Sequence, residues 1–160
     1  MSDDFVRSLG LAFLAHRLRR ASDLIVDGTS EALRRTGFEG PARSVSMLLL
    51  LRENGAMGVT EIGFRLRLSH PMIIKLARTL EAAGLVRAEA DPADNRRRLI
   101  ALTEKGAAQT ALAQGLLGDV ARTFDVMFDE AGIDLFAAIE RFEAVAERWP
   151  IADRLKGRIS

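Results

Sequence analysis

The 160-residue chain contains no cysteine, two histidines and four prolines. Without cysteine there can be no disulfide, thiolate metal site, thiol nucleophile or thiol redox sensor. His16 and His70 are too few, and too far apart in the chain, to suggest a shared metal site. Long apolar runs are also missing. The longest aliphatic stretch, Met47 to Leu51, falls far short of the roughly 20 residues that a bilayer-spanning helix needs. The N-terminus has neither a basic head nor a small-residue cleavage site, so the expectation is a cytoplasmic protein with no membrane partner. A glycine-rich phosphate loop, a nucleophile elbow and a His-x-x-x-His pair are all absent. The carboxylates are spread along the chain rather than clustered after strands. These absences argue against an enzyme and call for no cofactor and no metal.

What is present is a 48% hydrophobic composition, enough for a real core in one chain of ordinary domain size. Net charge is only +1, but it is unevenly placed. Residues 1–59 carry 8 basic and 7 acidic side chains, 60–98 carry 8 and 5, and 99–160 carry 7 and 10. The middle of the chain is therefore the basic part and suits a polyanionic partner.

Helical periodicity dominates. From Asp3 to about Arg35 no proline interrupts, and the apolar residues form two stripes: Phe5, Leu9, Ala12 and Phe13 on one face, Leu11, Leu14, Leu18, Ala21 and Ile25 roughly opposite. A helix apolar on two faces needs cover on both, either deep inside its own domain or by its own domain on one side and a second chain on the other; in a domain this small the second option predicts a homodimer. A core helix is expected from about Ser44 to Glu53, closed by Asn54-Gly55. Thr60 is placed to cap a short helix over 61–67 and Ser69 to cap the next, His70 to Ala83, with Pro71 tolerated in its first turn. Ile73, Leu76, Ala77 and Leu80 recur at helical spacing as the buried stripe of that second helix. Met72, Lys75, Arg78 and Thr79 are left facing outward. Gly84 stops it.

A β-hairpin follows: "LVRAEA" as one strand, a turn over Asp91 to Asn95, and "RRLIAL" returning. Thr103 caps a long helix expected to break near Gly115 to Gly118 or to run on to about Glu130. A last helix spans Ile133 to Trp149. Two short helices, a tight turn and a hairpin make a winged helix-turn-helix. In that motif the second helix enters the DNA major groove while phosphate contacts fix its register. Arg96, Arg97 and Arg98 then sit on the hairpin tip, within reach of a minor groove or of flanking phosphates. The plainer reading of the triplet is a solvated turn.

The run from Val59 to Gly106 resembles the DNA-binding lobe of the MarR (multiple-antibiotic-resistance regulator) family. The resemblance rests on Leu80, Glu81, Gly84, Leu85 and Val86, then Asp91, Pro92, Asp94 and Arg96, then Leu102, Thr103 and Gly106 at the family's spacing. It implies a mainly α fold with a small β-wing, in which a winged helix-turn-helix lobe (44–103) is flanked by N- and C-terminal dimerisation helices (1–36 and 104–160). It implies double-stranded DNA and a second copy of the chain as partners, usually in a repressor released by a small-molecule effector. The recognition helix would be 70–83, with Ser69, His70, Pro71, Met72, Lys75 and Arg78 toward the major groove. The wing would be 85–102, with Arg96 in the minor groove, Asp94 orienting it, and Arg97 and Arg98 beside it. Two positions depart from the family pattern. Arg67 stands where the inter-helix turn often has glycine. Ala88 stands where the first wing strand often has arginine, leaving Arg87 or Arg98 as a substitute partner for Asp94.

On the first helix, His16, Arg20 and Asp23 share a face. They fit either an anion-binding corner, with His16 and Arg20 receiving an effector such as an aromatic carboxylate, or an intrahelical ion-pair ladder. The alternative to a DNA-binding regulator is a winged-helix protein-interaction module without DNA affinity.

Overall fold

The computed structural model describes residues 4–156, with the backbone alone at Asn95 and Arg96. Asp4 caps the first helix, α1 (Phe5–Ser8), accepting a hydrogen bond from the Arg7 N–H at 3.3 Å. The long helix expected from residue 3 onward is broken here. Gly10 takes φ 65°, outside the right-handed helical region, and a 3₁₀ turn (Gly10–Phe13) intervenes before α2 (Leu14–Arg35). Apolar spacing carries no information about a left-handed glycine, so periodicity alone read through the break. Phe5 and Leu9 therefore share no continuous helix face with Phe13.

A second 3₁₀ turn (Ala42–Ser44) leads into α3 (Val45–Asn54), whose Met47, Leu48 and Leu51 are almost completely buried. They pack with Ile62, Ile73, Leu80 and Leu85 in one core. Each such aliphatic side chain contributes about 1.5–3 kcal/mol when taken out of water. Gly55, at φ 77°, ends α3, and a two-residue strand follows that the sequence did not disclose, β1 (Met57–Gly58). It is too short to show alternation and exists because β3 supplies its partner. The α4 helix (Val59–Leu66) begins one residue before Thr60, so Gly58 rather than Thr60 is the cap residue. The next helix, α5 (His70–Ala82), has Ser69 at its cap position.

Strands β2 (Val86–Asp91) and β3 (Asp94–Leu102) pair antiparallel, and β1 adds to the other edge of β3, giving the order β1-β3-β2. The turn is shorter than expected. Only Pro92 and Ala93 separate the strands, so the arginine triplet lies on β3 itself and not at the tip.

The sequence motifs after α5 have direct physical reasons. Gly84 takes φ 70°, a conformation that disfavours side chains with a Cβ, and turns the chain into the buried Leu85. Thr103 Oγ1 accepts from the Gly106 N–H at 2.9 Å, capping α6 (Glu104–Ala131), and donates to the Gly84 carbonyl at 2.7 Å. A Cβ on Gly106 would lie 1.8 Å from the Leu85 carbonyl oxygen, so only glycine allows that approach. The α6 helix is continuous through Gly115 and Gly118, where a break was one expectation. Neither glycine is forced from helical geometry, and isolated glycine costs a helix only about 1 kcal/mol.

The chain divides into two compact units, the first ending at Leu117 and the second starting at Gly118. In the second, Asp134 caps α7 (Leu135–Arg148), accepting from the Ala137 N–H at 2.9 Å. Pro150 ends the helical run as expected. A short further helix, α8 (Ile151–Lys156), follows it and was not anticipated. Arg154 lies 4.7 Å from the centre of the Trp149 ring and donates to the Trp149 carbonyl, fastening α8 to the end of α7.

Candidate nucleic-acid interface

The α4–turn–α5 unit is built to leave one side of α5 bare. Ile73, Leu76 and Leu80 go into the core, which fixes the helix's rotation and turns Lys75 and Arg78 to solvent. Gly63 lets the helices close up: a Cβ there would stand 3.0 Å from the Leu68 carbonyl. At the N-terminus of α5, the Ser69 carbonyl accepts from the N–H groups of Met72 and Ile73, at 2.9 and 3.1 Å. The Ser69 side chain makes no cap hydrogen bond, contrary to expectation. Ser69, His70 and Pro71 are exposed, and Met72 is 45% exposed. Thr79 turns its hydroxyl back onto the Lys75 carbonyl, leaving Lys75 and Arg78 as the cationic groups of this face.

The wing is organised by Asp91. This nearly buried carboxylate accepts from the Ala93 N–H at 2.9 Å, closing the two-residue turn, and lies 3.6 Å from Arg97. Arg97 also comes over β1, where a Cβ on Gly58 would be 3.2 Å from its Nη2. Of the triplet, then, Arg97 is engaged inside the wing. Arg98 lies opposite Ala90 and lines a groove of about 160 Å³ with Arg78, Glu81, Ile74 and Ala88, so that guanidinium groups from helix and wing border one space. The Arg96 side chain lies outside the described residues, and its minor-groove role with it. Arg87 is not placed to substitute at Asp94. It stands opposite Ala101 at the base of the wing, ion-paired with Glu89 at 3.0 Å and donating to the Leu102 carbonyl at 2.8 Å.

The site residues thus gather on the recognition helix and the wing, whereas His16 and Arg20 lie elsewhere, on α2. Arg20 donates to the Asp4 carboxylate at 2.6 Å, with Arg17 at 3.4 Å. The Arg20 hydrogen bond holds the Asp4 carboxyl below its ordinary range. Asp23 pairs with Arg43 at 2.5 Å and lies 3.9 Å from Arg19. The expected His16–Arg20–Asp23 ladder is not formed, because partners outside α2, or on its other faces, reach the charges first.

One feature beside the recognition helix escaped the sequence reading. The inter-helix turn borders an open groove of about 670 Å³ lined by Thr60, Phe64, Arg65, Arg67, Leu68 and His70. Phe64 is 82% exposed there. Its only sequence signal was the non-glycine residue at the turn. Among the described residues, no group of three or more His, Asp or Glu side chains could hold a metal, and no helix is long and apolar enough to cross a membrane.

Residues 42–97 match the model of the MarR family. Among solved structures, the chain is similar to the transcriptional repressor CouR bound to a 23-mer DNA duplex, at 27% identity over 84% of this chain and 92% of that one, with a TM-score of 0.61. It is similar to a MarR-family transcriptional regulator from Rhodococcus sp. RHA1, at 26% identity over 86% and 94% of the two chains, with a TM-score of 0.57. It shares the fold of the PcaV transcriptional regulator from Streptomyces coelicolor in complex with its natural ligand, at 23% identity over 87% and 95%, with a TM-score of 0.66. No curated protein sequence matches the chain.

Proposed function

We infer from the MarR-family winged helix of residues 42–97 that this chain is a homodimeric, sequence-specific DNA-binding transcriptional regulator, a repressor released by a small-molecule effector. The observation that carries the reading is the bare side of α5. Core packing turns Lys75 and Arg78 outward on one face, and Arg98 of the wing borders the same groove as Arg78. This is the arrangement a major groove and its flanking phosphates require. The likeness to a repressor bound to a DNA duplex supports it.

In this reading residues 44–103 form the DNA-binding lobe, and residues 1–36 and 104–160 the dimerisation helices. Ser69, His70, Pro71, Met72, Lys75 and Arg78 face the major groove. Arg96, oriented by Asp94, enters the minor groove, and Arg98 reaches the phosphates between wing and helix. Arg97 acts through Asp91 by holding the wing in shape. Two such lobes related by a two-fold axis read a pseudo-palindrome whose half-sites are about one helical turn apart. The effector half of the proposal rests on α2, where Arg17 and Arg20 already hold one carboxylate, that of Asp4. A carboxylate-bearing effector would compete for Arg20, with His16 one helical turn away.

Fluorescence anisotropy tests the reading. The protein is titrated onto its own upstream intergenic DNA and onto a scrambled duplex, at several salt concentrations. Tight, salt-steep binding to the first and weaker binding to the second are expected. No binding to either at low salt would remove the DNA-binding reading and favour a protein-interaction module.

A further inference from the structure

The last carbonyls of a helix have no partner within it and must be satisfied from outside. At the end of α5 the Gly84 and Leu85 N–H groups turn back onto the Glu81 and Leu80 carbonyls, each at 2.9 Å. The carbonyls of the next residues are taken up by the start of α6. Thr103 donates its hydroxyl to the Gly84 carbonyl at 2.7 Å and its N–H to that of Leu85 at 3.1 Å, and the Lys105 ammonium donates to the Ala83 carbonyl at 3.2 Å. A cation at that place also faces the negative end of the helix dipole.

The same ammonium lies 2.6 Å from the carboxylate of Glu39, in the stretch that leads from α2 to α3. One turn further along α6, the Gln109 side chain accepts from the Glu39 N–H at 2.7 Å and donates to the Gly37 carbonyl at 3.2 Å. Phe38, between them, is buried in the core. A Cβ on Gly40 would stand 2.7 Å from the Phe38 ring and 3.1 Å from the Leu85 side chain. The loop after α2 and the end of α5 are therefore packed side by side against the start of α6.

Lys105 bonds to both. Neither contact needs it for folding, since Thr103 and Gly106 already seat the end of α5 on α6 and Gln109 already holds the loop. The Lys105 and Glu39 side chains are 49% and 59% exposed, and an ion pair in water adds little to stability. Its effect falls on position instead: a displacement of residues 37–39 is carried through the ammonium to the Ala83 carbonyl and so to the tilt of α5. We propose that Lys105 is a positioning residue for DNA recognition, coupling the loop after α2 to the recognition helix so that DNA seated on α5 tightens the loop and a displaced loop loosens the DNA. The proposal rests on the DNA-binding reading above and adds to it a route by which α2 regulates that site. Coupling of this kind is reciprocal, so it can be read from the DNA side with no effector in hand.

The test compares the parent with Lys105→Met, Lys105→Arg, Glu39→Ala and the double variant Glu39→Ala/Lys105→Met. Anisotropy is measured at several salt concentrations on a duplex from the protein's own upstream intergenic DNA and on a scrambled one. Amide hydrogen exchange over residues 36–40 is followed with and without the intergenic duplex. In the parent, DNA should slow exchange at the Glu39 amide. Lys105→Met should abolish that slowing and lower affinity for the intergenic duplex about fivefold. It should leave the salt slope unchanged and the melting temperature within about 3 °C of the parent's. Glu39→Ala should match it, the double variant should lose no more than either single one, and Lys105→Arg, whose guanidinium can serve both acceptors, should keep the coupling. Slowing in Lys105→Met equal to the parent's overturns the proposal. So does a salt slope shallower by about one per protomer, which would make Lys105 a phosphate contact. A parent that binds DNA without slowing exchange overturns it too and leaves the DNA reading standing, whereas a parent that binds neither duplex at low salt removes both.

Discussion

Lys75 and Arg98 are both cationic and exposed, yet their positions give them different work. Lys75 projects from the middle of α5, where in the proposed DNA complex a side chain would meet base edges. Arg98 sits at the border of helix and wing, where in the proposed complex phosphates would pass. Lys75→Ala should therefore alter base preference at one position of each half-site by about 1–3 kcal/mol, read by anisotropy on a set of single-base operator variants. Arg98→Ala should weaken all duplexes alike and reduce the salt slope. Equal losses on every operator variant for Lys75→Ala would assign that residue to the backbone instead. Asp4 offers a second test on a single group. Its carboxyl is held below the ordinary value of 3.8, first by the Arg20 hydrogen bond. A lowered folded-state pKa means that the contribution to stability is complete above the unfolded value and disappears as pH falls through the folded one. An NMR titration should find the Asp4 inflection below 3.8, and Arg20→Ala should return it toward that value. An unchanged inflection in the variant would remove the Asp4–Arg20 contact as its cause.

At the scale of elements, the motif residues were legible because each answers a local steric or hydrogen-bonding need. Gly84 and Gly106 are the clearest cases. One supplies a left-handed helix stop, and the other lets the first turn of α6 rest on the Leu85 carbonyl. Gly106→Ala would push a methyl group into that carbonyl and should cost about 1–3 kcal/mol or more, measured by chemical denaturation. A loss under about half a kcal/mol would mean that α6 slides away freely. The misread elements share a different cause. The break at Gly10, the strand at Met57–Gly58 and the early start of β3 depend on a conformation or a partner strand that no periodicity encodes. Thr60 and Ser69 were the right residue types for caps. In the folded chain Thr60 lies inside α4, and Ser69 contributes its carbonyl and not its hydroxyl.

On the scale of the whole molecule, each unit leaves large apolar side chains uncovered. In the first these are Leu14, Leu18, Leu24 and Ile25 of α2, and in the second Phe136, Phe142 and Trp149 at 68%, 47% and 56% exposure. Faces of this kind on terminal helices fit the proposed homodimer, in which a second copy buries them. Light scattering on eluted protein should give twice the chain mass. Phe142→Glu should raise the dimer dissociation constant at least about 30-fold, the loss expected of an aromatic anchor in an interface core. An unchanged dimer would place the interface elsewhere.

The amino-acid order by itself determined the helical class, the winged helix-turn-helix and the basic middle segment. It could do so because helix ends, apolar stripes and turn residues act over a few positions along the chain. Only the tertiary structure decided how the arginines divide their roles. Arg97 is drawn to Asp91, Arg98 borders the groove of Arg78, Arg20 is held by Asp4, and Arg67 is fixed in a left-handed turn beside the recognition helix. A charged side chain's partner is chosen by distance through space. That distance exists only once the strands have paired and the helices have turned their apolar faces inward.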